Sequence, residues 1–126
     1  MTLRVYYEDT DMGGIVYHSN YLNFCERARS ELFFSKQQTP IFEGGHFVVR
    51  RIEADFKGSA RLGDLLDVTA EVLEIKGATL RMRQHVLRGG ELLFAMDITL
   101  VYLMENGRLG RLDEARRAKL LALLVE

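Results

Sequence analysis

TLRMRQHVLRGGELLFAMDITLVYLM, residues 79–104, holds two runs in which apolar residues recur at every second position. In the second run Leu92, Phe94, Met96, Ile98, Leu100, Tyr102 and Met104 alternate over thirteen residues, which is the period of a half-buried strand. Gly89 and Gly90 separate the runs, and paired glycines supply the positive φ that a two-residue hairpin turn requires. The stretch reads as an antiparallel hairpin of strands 79–88 and 91–104. Strands of this length twist and curl.

The pattern extends outward from the hairpin. DLLDVTAEVLEI (64–75) places Leu66, Val68, Ala70 and Val72 on one face and Asp67, Thr69 and Glu71 on the other. FVVRRIEADF (47–56) alternates through Val48, Ile52, Ala54 and Phe56, and GSARLGD is the loop between these two runs. Further upstream the period changes. YLNFCERARSELFFSKQQ (21–38) puts Tyr21, Phe24, Cys25, Ala28 and Leu32 on one helical face, with Ser19 or Asn20 available as cap and Pro40 marking the end. LRVYY (3–7) reads as a short strand. Asn106-Gly107 turns the chain after the hairpin, and Asp113 caps a final helix, EARRAKLLALLVE (114–126).

Strands gathered after a long helix predict an α+β fold with an antiparallel sheet. One helix with an apolar stripe needs a surface, and a curved sheet wrapped round it provides one. The free edges of such a sheet invite pairing with another chain, so an oligomer is expected.

The chain has 126 residues, enough for one domain spanning 1–126 with a substantial core. Its formal net charge is −1, with no basic tail or Lys/Arg run, so nucleic acid is not an expected partner. Arg81/Arg83 and Arg116/Arg117/Lys119 read as solvated faces. No apolar run approaches the ~20 residues of a membrane span. The single cysteine, Cys25, excludes an internal disulfide, and no signal-like segment opens the sequence; together these predict a cytoplasmic protein.

One segment is costly to fold. YEDTDMGGIVYHSNY (7–21) crowds Glu8, Asp9 and Asp11, follows them with Gly13 and Gly14, and sets His18 just before the long helix. Read as a calcium loop, it puts Gly13 and Asn20 where ligands should stand, so calcium does not fit. The three histidines, His18, His46 and His85, lack metal-ligand spacing, and no metal is expected. What the segment does hold together is a carboxylate, a glycine turn and the start of a helix. A carboxylate can act as general base or nucleophile. Backbone N–H groups at a helix start are donors without intrahelical partners, with the positive end of the dipole behind them.

Asp9-x-Asp11, Gly14, Tyr17-His18, Asn20-Tyr21 and Glu26-x-Ala28-Arg29 resemble the opening of the 4-hydroxybenzoyl-CoA thioesterase family, most closely its YbgC-type branch, and GSARLGDLLDVTAEV supports the match. The resemblance runs from Arg4 to the final helix. It implies a hotdog fold, a dimer with a continuous sheet, commonly a homotetramer, and hydrolysis of acyl-CoA thioesters. It implies Asp11 as catalytic carboxylate and the His18 amide as the donor that polarises the carbonyl, with the His18 side chain assisting proton transfer or orienting water. Tyr7, Gly14 and Tyr17 would line the pocket. Lys57, Ser59, Arg61 and Lys76 would meet the CoA nucleotide. No cofactor is implied, CoA being part of the substrate, and acyl carrier protein is a partner by the same resemblance.

The plainer readings stand beside these. Asp11 suits a turn, because Asp favours such places anyway. Asp9 reads as a loop-holding residue, and Glu8 as exposed or paired with Arg4. Cys25, on the apolar stripe, reads as a small buried hydrophobe rather than a nucleophile. Glu26 and Arg29 suit an ordinary i,i+3 pair. Leu22, Phe24, Phe33, Phe34 and Phe47 are candidates for an acyl pocket. A hotdog module that binds acyl-CoA without turnover, or a hotdog dehydratase or hydratase, are the alternatives to hydrolysis.

Overall fold

The computed structural model describes residues 1–125. Its strands are β1 (Thr2–Arg4), β2 (His46–Phe56), β3 (Leu65–Val68), β4 (Glu71–Lys76), β5 (Thr79–Arg88) and β6 (Glu91–Leu103). The helices are α1 (Asn20–Phe34) and α2 (Glu114–Leu123). Pairing is antiparallel throughout, in the order β1-β3-β5-β6-β2, with β4 continuing alongside β5. The fold is the expected α+β arrangement of one antiparallel sheet and one long helix. Gly89 and Gly90, at φ of 54° and 88°, make the central turn. Glu126, the last residue of the expected final helix, lies outside the described residues.

The helix buries the stripe read from its period: Tyr21, Phe24, Cys25, Ala28 and Leu32, with Phe33 added. They join Leu66, Val68, Leu80, Met82, Phe94, Met96 and Ile98 in one core. Each large apolar side chain fully buried contributes roughly 1.5–3 kcal/mol, so this stripe holds α1 to the sheet. Asp113 caps α2, its Oδ1 accepting from the Arg116 amide at 2.9 Å. Lys36 joins the two helix ends, donating to the carbonyls of Leu32, Leu123 and Val125.

The departures from the sequence reading are irregularities in strands. The single strand expected over 64–75 is broken between β3 and β4, and a bulge between Val72 and Glu74 moves the phase so that Ile75 is buried. In β2 a bulge between Val49 and Arg51 puts Phe47 and Val49, rather than Val48, on the same face as Ile52 and Phe56. In β6 a register shift buries Leu93 beside Phe94, and the Leu93 carbonyl accepts from the Lys57 and Gly58 amides at 2.8 and 3.0 Å. The strand expected over 3–7 stops at Arg4, because Tyr6 and Asp9 close a 3-10 turn over Tyr7–Asp9. Arg4 donates to the Gly63 carbonyl instead of pairing with Glu8.

Facing the break after β3, from β5, is a buried uncharged polar side chain. Gln84 is 0% exposed. Its amide donates to the carbonyls of Cys25 (2.8 Å) and Thr69 (3.2 Å), and its oxygen accepts from Arg29 Nη1 at 2.9 Å. A buried polar group left without its partner costs about 1–3 kcal/mol. Gln84→Leu is expected to destabilise the fold by about that amount, read as a lower urea midpoint at an unchanged slope. An unchanged midpoint would show that the Gln84 bonds contribute nothing net.

Candidate active site

Residues 10–16 form a small hairpin. Thr10 bridges Val16, the Asp11 amide donates to the Ile15 carbonyl at 2.9 Å, and the Gly14 amide donates to the Asp11 carbonyl at 3.1 Å. Gly14 has φ of 77°, the left-handed region where glycine carries no Cβ penalty. Gly13 donates its amide to Asp11 Oδ1 at 2.8 Å, and a Cβ on Gly13 would stand only 3.2 Å from that oxygen. The two glycines thus serve different needs: one the turn, the other close approach to the carboxylate. Asp11 does make the turn contact that its residue type favours, and its other oxygen has no hydrogen-bond partner among the described residues.

Asp9 is buried and holds the loop. Its carboxylate accepts from the Tyr6 amide at 2.9 Å, and its carbonyl accepts from both the Tyr17 amide and Asn20 Nδ2, each at 2.9 Å. This pins the hairpin to the start of α1. Ser19 occupies the cap position, yet no side chain caps the helix, since Asn20 reaches back to Asp9 instead. The expected capping by Ser19 or Asn20 is therefore absent. The amides of His18 and Ser19 have no acceptor among the described residues.

Asp11, Tyr17, His18, Tyr21, Phe56 and Ser59 surround a cavity of about 280 Å³. The His18 ring lies 4.4 Å from that of Tyr17 and meets Phe56 edge-on at 6.3 Å. Tyr21 stacks on Phe94 at 5.1 Å while its hydroxyl accepts from the Ala60 amide at 2.9 Å, which seats the Ser59 loop against the helix. The structure thus brings together Asp11, Tyr17, His18 and Ser59, with Gly14 in the same hairpin. Arg61 is exposed and bridges Ile15, and Lys57 is exposed at the start of that loop. Tyr7 is 83% exposed and does not border the cavity. Lys76 lies beyond the far end: it pairs with Thr79, opposite Val101, whereas Phe56 pairs with Phe94. The stretch of β6 between Phe94 and Val101 spans roughly 23 Å at strand rise.

Sequence reading missed Phe56 and Arg88 as parts of this region. Phe56 had a signal as the last apolar residue of a strand. Arg88 had none, because its role depends on two partners distant in sequence, the Ser59 carbonyl (3.1 Å) and Asp64 (2.8 Å), besides Glu91 across the turn (2.9 Å). The hydrogen bond from Arg88 is the main cause holding the Asp64 carboxyl below its ordinary range.

A larger cavity of about 490 Å³ lies between α1 and β2. Of the five candidate acyl-pocket residues it is lined by Leu22, Phe33 and Phe47. Phe24 is in the core, and Phe34 points outward, half exposed. Cys25 is buried with its thiol pushed up to about 12 by that burial, which suits a packing role. Among the described residues, no group of three or more His, Cys, Asp or Glu side chains gathers as metal ligands would. No helix among them is long and apolar enough to cross a membrane.

Residues 13–95 match the Thioesterase superfamily. The chain is 48% identical over 86 residues, 68% of its length, to the acyl-CoA thioesterase YbgC of Helicobacter pylori (strain ATCC 700392 / 26695). That match spans 65% of the relative. Among solved structures, a probable thioesterase from Bartonella henselae is 32% identical with a TM-score of 0.83, covering 90% of this chain and 97% of the other. A thioesterase from Thermus thermophilus complexed with coenzyme A and Zn is also 32% identical, with a TM-score of 0.81, covering 94% and 93%.

The Asp64–Arg88 contact generates a pH prediction. Asp64 has a depressed folded-state pKa, so its contribution is complete above the unfolded value, about 3.9, and is lost as pH falls through the folded value. Hydrogen exchange in loop 57–64 is expected to rise as pH is lowered past about 4 in the wild type, after correction for intrinsic rates. In Asp64→Asn the loop should exchange faster than in the wild type above about pH 4, and the two should converge as pH falls further. Identical protection in both proteins would remove the clamp.

Proposed function

The chain belongs to the thioesterase superfamily, and from that premise we propose that it hydrolyses acyl-CoA thioesters to the free acid and CoA. The observation that carries this reading is the uncapped start of α1, with its His18 and Ser19 amides free, at the cavity that also holds Asp11. Asp11 acts as base on a water or as nucleophile on the thioester carbon, using the carboxylate oxygen that Gly13 does not engage. As the carbonyl oxygen gains charge, the His18 amide donates to it, backed by the helix dipole. On the base route the water oxygen forms the C–O bond, the C–S bond breaks, and the water's proton passes from Asp11 by way of His18 to the departing thiolate. On the nucleophile route the C–S bond breaks as an anhydride forms on Asp11, and water then opens it, leaving the acid free and supplying the thiolate's proton. Nothing in this reaction calls for a redox cofactor.

Lys57, Ser59 and Arg61, in the loop that borders the cavity, are the proposed contacts of the CoA phosphates. Such exposed contacts are weak and salt-screened. A second copy of the chain is the other proposed partner. β2 is an edge strand whose Val49, Ile52 and Phe56 are 52%, 37% and 55% exposed on the face turned toward α1. Pairing β2 with β2 about a two-fold axis would continue the sheet and cover them. The same axis would bring the far end of one sheet, where Lys76 lies, toward the cavity end of its partner.

Thiol release from a panel of acyl-CoA esters tests the activity. Asp11→Asn, folded by circular dichroism, is expected to be slower by a factor of about a hundred or more. Equal rates would refute the role of Asp11. CoA-ester binding without thiol release by the wild type would favour a binding module. Sedimentation tests the partner: the wild type should run as a dimer or larger, and Ile52→Lys should shift it toward monomer. A monomeric wild type would overturn the β2 pairing.

A further inference from the structure

The larger cavity has two unlike walls. One is the inward face of the sheet, where Val49, Ile52, Met82, Met96 and Ile98 are apolar and His46, at the start of β2, is the polar exception. The other is α1, which presents Asn23, Glu26, Arg29 and Ser30. A cavity built only to hold hydrocarbon has no use for a guanidinium, and a charge taken from water without a partner is costly. Arg29 is nevertheless held there. Its Nη1 donates to the oxygen of the wholly buried Gln84 at 2.9 Å, which is its only hydrogen bond among the described residues. It forms no ion pair among them either, not even with Glu26 one turn back. The expected i,i+3 pair is therefore absent. Burial pushes the guanidinium's pKa down, and the nearby Glu26 carboxylate opposes it. A guanidinium has five donors and no acceptor, and an ionised carboxylate only accepts. Placed one turn apart and without an ion-pair partner among the described residues, the part-buried Arg29 and the exposed Glu26 complement a group that both accepts and donates.

The two cavities follow one another along the same walls. Tyr21 borders the smaller and Leu22 the larger on α1, and Phe56 and Ile52 stand likewise on β2. From the start of α1 at Asn20, Glu26 and Arg29 lie about 9 and 14 Å along the axis at helical rise. We propose that the larger cavity takes the aliphatic part of the acyl group and that Arg29, with Glu26, selects chains bearing a hydroxyl remote from the thioester carbonyl. The hydroxyl accepts from Arg29 and donates to Glu26, while the hydrocarbon on either side lies on the sheet. Gln84 is a positioning residue here: it fixes the guanidinium from behind. This inference rests on the proposed hydrolysis for its place in the reaction, and on the cavity alone for its chemistry.

The test compares dodecanoyl-CoA with its mid-chain hydroxy and ω-hydroxy counterparts. Turnover is measured as kcat/KM, and binding is measured by calorimetry with the corresponding non-hydrolysable thioethers. The wild type is expected to favour at least one hydroxylated chain by roughly ten- to a hundredfold, the discrimination that one hydrogen bond to a charged group gives. Arg29→Met, similar in reach but apolar, should bring that ratio toward one, and Gln84→Leu should do so in part. A merely structural Arg29 would lower both chains alike and leave the ratio intact, which would overturn the proposal. So would a wild type that treats plain and hydroxylated chains equally. Hydroxyl preference in thioether binding without any turnover would uphold the cavity's chemistry and refute hydrolysis. Turnover of all chains at one rate would do the reverse.

Discussion

The Asp9 carbonyl takes two hydrogen bonds, one from the Tyr17 amide and one from the Asn20 side chain, and the rest of the site follows from that sharing. Asn20 is the first residue of α1, so its side chain ties the helix start to the Asp11 hairpin. With Asn20 engaged there and Ser19 making no cap bond, the helix begins with unsatisfied donors. An uncapped start gives up about 1 kcal/mol relative to a capped one. The burial of α1's apolar stripe offsets a cost of that size many times over. The long helix can keep unsatisfied amides at its mouth because its stability comes from packing further along.

The core was legible because hydrophobic period translates directly into burial. Tyr21, Phe24, Cys25, Ala28 and Leu32 on the helix, and Met96, Ile98, Leu100 and Tyr102 on β6, are all buried as their spacing predicts. The Gly89-Gly90 turn was legible because few residues tolerate its backbone angles. What escaped was phase. Each bulge shifts the alternation by one residue, and nothing in FVVRRIEADF announces that the shift falls at Arg50, so strict alternation puts Val48 on the wrong face. The same kind of shift hides Leu93, whose carbonyl receives two amides of the loop that borders the site.

The site was legible in part, and for a different reason. Asp11, Tyr17 and His18 lie close together in sequence, so a local motif carries them to one cavity. Ser59 reaches it through the Tyr21–Ala60 bond and the Arg88 clamp, contacts spanning 39 and 29 residues. Resemblance could point to that loop, but only the fold shows what holds it. Lys76 and Tyr7 illustrate the limit of carrying positions over by resemblance: each matches a pattern, and neither meets this cavity within one chain.

The β2 edge and the polar wall of α1 belong to one physical problem. An edge strand with exposed Val49 and Ile52 leaves the larger cavity open on the side where apolar surface is most costly in water, and exposed Phe56 does the same for the smaller. Closing that side with a second copy would lower the local dielectric around Arg29 and Glu26. The same change strengthens a hydrogen bond to either group and raises the cost of leaving it unmade. Selectivity in such a cavity would come less from the attraction of the right chain than from the penalty imposed by the wrong one. A plain alkyl chain would expel water from Arg29 and offer nothing in return. Gln84 sharpens this, because a guanidinium held from behind cannot withdraw to solvent when the chain that arrives lacks an oxygen.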